Sequence, residues 1–220
     1  MCFKLSLNNA LEGVIEYMDK NLRQLIAVFG GSFNPPTYAH RYIINEILRL
    51  YAAKVIVLPV NEKYEKGGLA SYEDRVAMLE LLLKNNNKAV ISNLDKETKG
   101  SLRTIDALNT LKEQHLCNYM AFVIGTDNLM DLSNWKNVEE LLEKYFFIVI
   151  PRGDSGEEKI IKENPLFNKY KDKFLIAPDL KKLDISATKI RNSLDDFEEV
   201  KKLTSEEVIQ YIYEKHLYES

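Results

Sequence analysis

Two short stretches near opposite ends of the chain concentrate side chains suited to phosphate chemistry. The first, GGSFNPPTYAH at residues 30–40, follows the apolar run LIAVFGG. Gly30 and Gly31 let a backbone come close to a phosphate, Ser32 adds a hydroxyl donor, and Pro35 and Pro36 stiffen the turn. His40 then falls in the first turn of the following helical pattern, where an imidazole N–H can stabilise charge spreading over a transferring phosphate. A Gly-Gly pair with a capping histidine would have the same local appearance, and on these residues alone that reading stays open. The second stretch is DISATKIRNS, residues 184–193, with Ser186, Thr188, Lys189 and Arg191 at the start of a helical pattern. A helix N-terminus attracts anions, the hydroxyls add donors, and the planar guanidinium can grip a phosphate in two places. By itself this segment reads first as a capped helix with a solvated basic face.

These residues need a scaffold that turns strands into helix N-termini, and the rest of the sequence provides one. LIAVFGG (25–31), KVIVLPV (54–60), AVIS (89–92), YMAFVIG (119–125), YFFIVIP (145–151) and KFLIAP (173–178) read as strands. Between and after them, residues 38–50, 71–84 with Ser71 as cap, 103–114, 138–144, 186–194 and 205–216 read as helices. Strand and helix alternate, and the strands are apolar throughout, which predicts a parallel sheet covered on both faces. The predicted class is α/β, a doubly wound parallel sheet, with ligands at the carboxyl ends of the strands. Leu11, Val14, Ile15, Met18 and Leu22 fall at helical spacing, so residues 1–24 read as an N-terminal helical extension and 25–220 as one domain. Residues 152–171, polar and rich in turn formers, read as a surface excursion.

The first stretch resembles the GxFxPx(H/T)xxH signature of the nicotinate and nicotinamide mononucleotide adenylyltransferases, at Gly31, Phe33, Pro35, Thr37 and His40. The second is similar to that family's ISxTxIR signature, at Ile185, Ser186, Thr188, Ile190 and Arg191. The resemblance runs from about Leu25 to Tyr218 and implies a Rossmann-like fold. It implies that Gly30, Gly31, Ser32, Phe33, Thr37, His40, Ser186, Thr188, Lys189 and Arg191 bind ATP, with His40 and Arg191 catalytic. Thr37 stands where many bacterial members have a first histidine, which leaves His40 as the sole imidazole there. The segment LPVNEKYEKGGLASYEDRVAML (58–79) looks like the family stretch whose lysine meets the mononucleotide phosphate, giving Lys66 first and Lys63 second, with Arg75 either a phosphate contact or solvated. TIDAL and GTDNLMDLSNWKNVEELL add Thr104, Gly125, Asp127 and Trp135 to a mononucleotide site that also takes Ser32 and Arg152. Trp135 would stack on the pyridine ring, or else sit in the core; Thr104 would lie near the ring substituent, or else only cap its helix.

The resemblance implies an enzyme that moves AMP from ATP to nicotinate or nicotinamide mononucleotide. Mg²⁺ would be carried mainly by the ATP phosphates, with no dedicated protein ligands. The bacterial look of GTDNLMDLSNW favours nicotinate, whereas SFNPPT and KYEKGGL look like eukaryotic enzymes that accept both. Pantetheine-phosphate adenylyltransferase, another nucleotidyltransferase of the superfamily, or a non-catalytic nucleotide-binding regulator are the alternatives. Composition agrees with a globular enzyme: 220 residues, 45% apolar, 29% charged and a net charge of −3. No broad basic surface is implied, which argues against nucleic-acid and membrane partners. Cys2 and Cys117 have no metal-ligand spacing, and the N-terminus lacks the character of a signal peptide. A cytoplasmic location follows as an expectation, and a homo-oligomer is left open.

Overall fold

In the computed structural model, residues 25–61, 68–98, 102–151, 156–177 and 184–219 are described. The apolar runs form β1 (Leu25–Gly31), β2 (Lys54–Pro59), β3 (Ala89–Ile91), β4 (Tyr119–Gly125), β5 (Phe146–Ile150) and β6 (Phe174–Ile176). All neighbouring strands pair in parallel, in the order β3-β2-β1-β4-β5-β6. The chain therefore moves outward from β1 to β3, then returns to lay β4 on the other side of β1. That reversal opens a crevice between the carboxyl ends of β1 and β4, the place where open α/β sheets bind ligands.

The longer helices are α1 (Tyr38–Leu50), α2 (Tyr72–Leu83), α3 (Leu94–Glu97) and α4 (Thr104–Gln114), then α5 (Thr126–Asp131) and α6 (Val138–Lys144). After them come α7 (Glu157–Glu163), α8 (Pro165–Lys169), α9 (Ala187–Asn192), α10 (Phe197–Val200) and α11 (Glu206–Glu214). Successive strand residues point to opposite faces, and the core divides accordingly. Ala27, Val55, Val57, Val123 and Ile148 pack with Ile44, Met78, Leu79, Val208 and Ile212 on one face. Val28, Ile56, Ile124 and Val149 pack with Ile105, Leu108, Leu111, Leu141 and Phe167 on the other. Two covered faces explain why the strands carry almost no polar residues.

Element positions follow the sequence reading closely, including Ser71, whose side chain caps α2 by accepting from the Asp74 amide. Two readings are corrected. Residues 157–169 are not a surface excursion but two helices that cover β5 and β6, with Ile161 and Phe167 buried. Their polar composition conceals an apolar stripe. Pro165 opens α8 while the Asn164 side chain accepts from the Leu166 and Phe167 amides. Thr104 is not a helix cap; Arg103 holds that position, and Thr104 is the first residue of α4. The predicted N-terminal helical extension, residues 1–24, lies outside the described residues. Among the described residues no helix is long and apolar enough to cross a membrane.

Candidate active site

β1 delivers its last residue, Gly31, into a turn whose backbone doubles back at Phe33, with φ of 50°. The Phe33 ring is only 1% exposed and lies edge-on to the His40 ring, centroids 5.0 Å apart, and to Phe29 at 5.6 Å. A Cβ at Gly31 would come within 3.2 Å of that ring, so a side chain at 31 would require the ring beside His40 to shift slightly. At Gly30 a Cβ would meet the Phe122 ring at an ordinary 3.5 Å. Phe33, expected among the ATP contacts, thus works from beneath, shaping the turn. Its ring does not reach outward.

His40 is a cap, as its local sequence also allowed. Thr37 is the N-cap of α1, its hydroxyl accepting from the His40 amide at 3.4 Å, while the Thr37 amide donates to His40 Nδ1 at 2.9 Å. An N–H donates only to an unprotonated ring nitrogen, so the neutral ring carries its proton on Nε2. The cap therefore fixes both the orientation and the tautomer of the imidazole, and makes Nε2–H the donor. The two readings of His40 are compatible.

The turn is fastened by the rest of the chain. Pro36 O accepts from Thr204 Oγ1 at 2.9 Å, and the Tyr38 amide donates to Leu203 O at 2.8 Å. Asn34, buried, donates through Nδ2 to Gly68 O at 3.0 Å. Its Oδ1 accepts from the Ala70 amide at 3.0 Å and from the Tyr218 hydroxyl at 2.7 Å. Burial raises the Tyr218 hydroxyl pKa above its ordinary value, with Arg191 and Arg75 pulling the other way. Of the two readings that the sequence left open for Arg75, the solvated one is excluded. Arg75 is fully buried and donates to Ser32 O at 2.8 Å, Val60 O at 2.8 Å and Ala70 O at 3.1 Å. Nearby Asp95, 3% exposed, accepts from the Asn61 amide at 2.6 Å through Oδ2. Its other oxygen has no partner among the described residues, and desolvation pushes its carboxyl pKa up against the opposing effects of the Asn61 amide and Arg75.

The second stretch meets the first at this turn. Ser186 caps α9 by accepting from the Lys189 amide at 3.2 Å, and Lys189 Nζ pairs with the Asp184 carboxylate. Arg191 donates through Nη1 to Asn34 O at 2.6 Å and through Nη2 to Thr188 Oγ1 at 3.3 Å. One guanidinium thus joins residues 157 positions apart. Ser186, Thr188 and Lys189 are exposed beside it.

The remaining candidates sit around β4. Gly125 ends that strand and caps α5, with Asp127 exposed in the first turn of α5. The neighbouring Thr126 is buried and donates to Glu157 Oε1 at 2.5 Å. Trp135 is half-buried, its ring edge-on to Phe122 with centroids 6.0 Å apart. Since Phe122 also lies beside Gly30, Trp135 is one ring removed from the glycine turn. It is partly core and partly accessible. Lys63, Lys66 and Arg152 lie outside the described residues. The sequence reading missed Asn34, Asp95, Thr204 and Tyr218 altogether. Only Asn34, inside the first signature, carried a local signal.

A family model described as cytidylyltransferase-like matches residues 28–193. The chain belongs to the cytidylyltransferase-like family. Among its relatives, a probable nicotinate-nucleotide adenylyltransferase of Fusobacterium nucleatum is 31% identical, the match covering 87% of this chain and 98% of that one. One of the same description from Acholeplasma laidlawii is 32% identical over 89% of this chain and 98% of that one. A solved Plasmodium falciparum nicotinic acid mononucleotide adenylyltransferase complexed with NaAD superposes with a TM-score of 0.72 at 27% identity, covering 89% of this chain and 97% of that one. Within the cytidylyltransferase-like family this chain is a transferase of the nicotinate-nucleotide adenylyltransferase group.

Proposed function

We propose that the chain transfers AMP from ATP to nicotinate mononucleotide, forming deamido-NAD and pyrophosphate at the crevice between β1 and β4. The observation that carries the proposal is the Arg191 to Asn34 O contact at 2.6 Å, which sets the hydroxyls of the second signature beside the glycine turn of the first. Phosphate-directed donors then converge from both ends of the chain.

The reaction is an in-line displacement. An oxygen of the mononucleotide 5′-phosphate attacks the α phosphorus of ATP, and the bond from that phosphorus to the bridging oxygen breaks as pyrophosphate leaves. Such transfers need positioning and charge stabilisation more than covalent help. His40 Nε2–H, held in register by the Thr37 cap, donates to the transferring phosphate, together with the amides of the turn. Ser186, Thr188 and Arg191 hold the leaving pyrophosphate. Gly125, Asp127, Thr104 and Trp135 border the mononucleotide side, with Trp135 against the pyridine ring.

The two signatures offer hydroxyl, amide, imidazole and guanidinium donors, which suit anions, so these residues would hold the phosphates of a Mg-ATP complex rather than the ion itself. When bound, Mg²⁺ would supply charge neutralisation for the pyrophosphate that Ser186, Thr188 and Arg191 hold.

The test is pyrophosphate release from purified protein given ATP with nicotinate or nicotinamide mononucleotide, with CTP and phosphopantetheine as alternative substrates. Turnover with ATP and nicotinate mononucleotide is expected, at the highest kcat/KM of the panel. A higher value for nicotinamide mononucleotide would reassign the ring preference, and turnover only with CTP or phosphopantetheine would overturn the assignment.

A further inference from the structure

We infer that Arg75 is a positioning residue for the phosphate turn: buried behind it, the guanidinium sets the orientation of the Ser32–Phe33 peptide and so aims the Phe33 amide at the phosphate site. This rests on the adenylyl-transfer reading above.

A charged side chain on α2 is fully buried, which costs desolvation that an apolar residue would avoid. Its compensation is specific. Nη1, Nη2 and Nε donate to three carbonyls from three segments, Ser32, Val60 and Ala70, at 2.8, 2.8 and 3.1 Å. Only the rigid fork of a guanidinium supplies donors in that spread.

The Ser32 contact has a consequence one residue later. In a planar trans peptide the carbonyl of one residue and the amide of the next point in opposite directions. With Ser32 O drawn inward to Arg75, the Phe33 N–H is turned away from the interior. Phe33 has φ of 50°, a left-handed conformation that a non-glycine residue keeps only when its surroundings over-determine it. The surroundings here are the His40 and Phe29 rings on the side chain and Arg75 on the preceding peptide. No hydrogen bond from the Ser32 or Phe33 N–H forms among the described residues. Successive amides around a left-handed residue make an anion-binding concavity. A clamp that served stability alone would not have to engage this peptide.

The experiment uses the full chain with Arg75→Lys and Arg75→Gln, and Leu79→Ala on the same helix as a core control. Melting curves establish folding, and steady-state kinetics separate kcat from KM. Both Arg75 variants are expected to fold and to lose kcat by between about tenfold and the 10²–10³ of a lost stabilising donor. KM for both substrates should stay within about twofold, because the loss falls on the transition state. Leu79→Ala should melt lower yet keep wild-type kcat. An NMR titration of the Phe33 amide with ATP alone, which carries the α phosphate and does not turn over without mononucleotide, reads the same point: its resonance should shift in the wild type, and the shift should be lost in Arg75→Lys. A folded variant with wild-type kcat, failure of both variants to fold, or a wild-type Phe33 amide indifferent to ATP would overturn the inference. A wild type that binds ATP at Phe33 but turns over neither mononucleotide would instead overturn the reading of the substrate.

Discussion

His40 caps α1 and, in the proposed mechanism, donates to the transferring phosphate; one substitution removes both contributions and another separates them. His40→Ala deletes the Nε2 donor and also the Nδ1 acceptor for the Thr37 amide at 2.9 Å. Losing the donor should lower kcat by roughly 10²–10³, or about 2.7–4 kcal/mol of transition-state stabilisation. Losing the cap should cost about 1 kcal/mol of stability, a fall of about 2–4 °C in Tm for a chain of this size. His40→Gln places at the third helical position the residue that normally completes a capping box, so the stability loss should be largely recovered. Its amide nitrogen does not sit where the imidazole Nε2 sits, and kcat should stay about tenfold or more below wild type. Differential scanning calorimetry and pyrophosphate release on the same preparations measure the two losses. If His40→Gln melts as low as His40→Ala, the cap is not what the ring contributes to the fold. Near wild-type turnover in His40→Ala would remove the imidazole from the mechanism.

Arg191→Ala should raise the KM for ATP far more than that for the mononucleotide, and equal effects on both would contradict its placement with pyrophosphate. Trp135→Ala should raise the mononucleotide KM by the equivalent of about 1–3 kcal/mol while sparing ATP, with Trp135→Phe recovering part. An unchanged KM combined with a lower Tm would assign Trp135 to packing on Phe122 alone. Asp95 should make stability pH-dependent in a stated direction: with its folded pKa raised, the native state binds the extra proton between the ordinary carboxyl value and the raised one. Stability from this group therefore falls as pH rises through that window. Asp95→Asn should be at least as stable as wild type at neutral pH, the difference closing below about pH 4, and urea melts across pH would contradict this if the gap widened in acid.

The two signatures and the six apolar runs were legible because each is local. A phosphate turn needs its glycines and histidine within a few residues, and a strand buried on both faces must be apolar at consecutive positions. The sequence reading therefore located every strand of the described residues, and it placed Thr37, His40 and Ser186 at the helix starts where the structure finds them. Residues 157–169 escaped because the average composition of a segment conceals two short apolar pairs, Ile160 with Ile161 and Leu166 with Phe167.

What the sequence determined by itself was the order of the strands, the longer helices between them and the chemical types available at each strand end. Tertiary structure alone decided which of these meet. Arg191 reaches Asn34 O, Tyr218 reaches Asn34 Oδ1, and Thr204 reaches Pro36 O, all across more than 150 positions of chain. It also decided that Arg75, which the sequence left open between a phosphate contact and a solvated cation, is buried among three carbonyls. The physical reason is that a hydrogen bond depends on donor and acceptor lying within about 3 Å with the right alignment. Sequence separation carries no such distance until the order β3-β2-β1-β4-β5-β6 has brought the strand ends into one crevice.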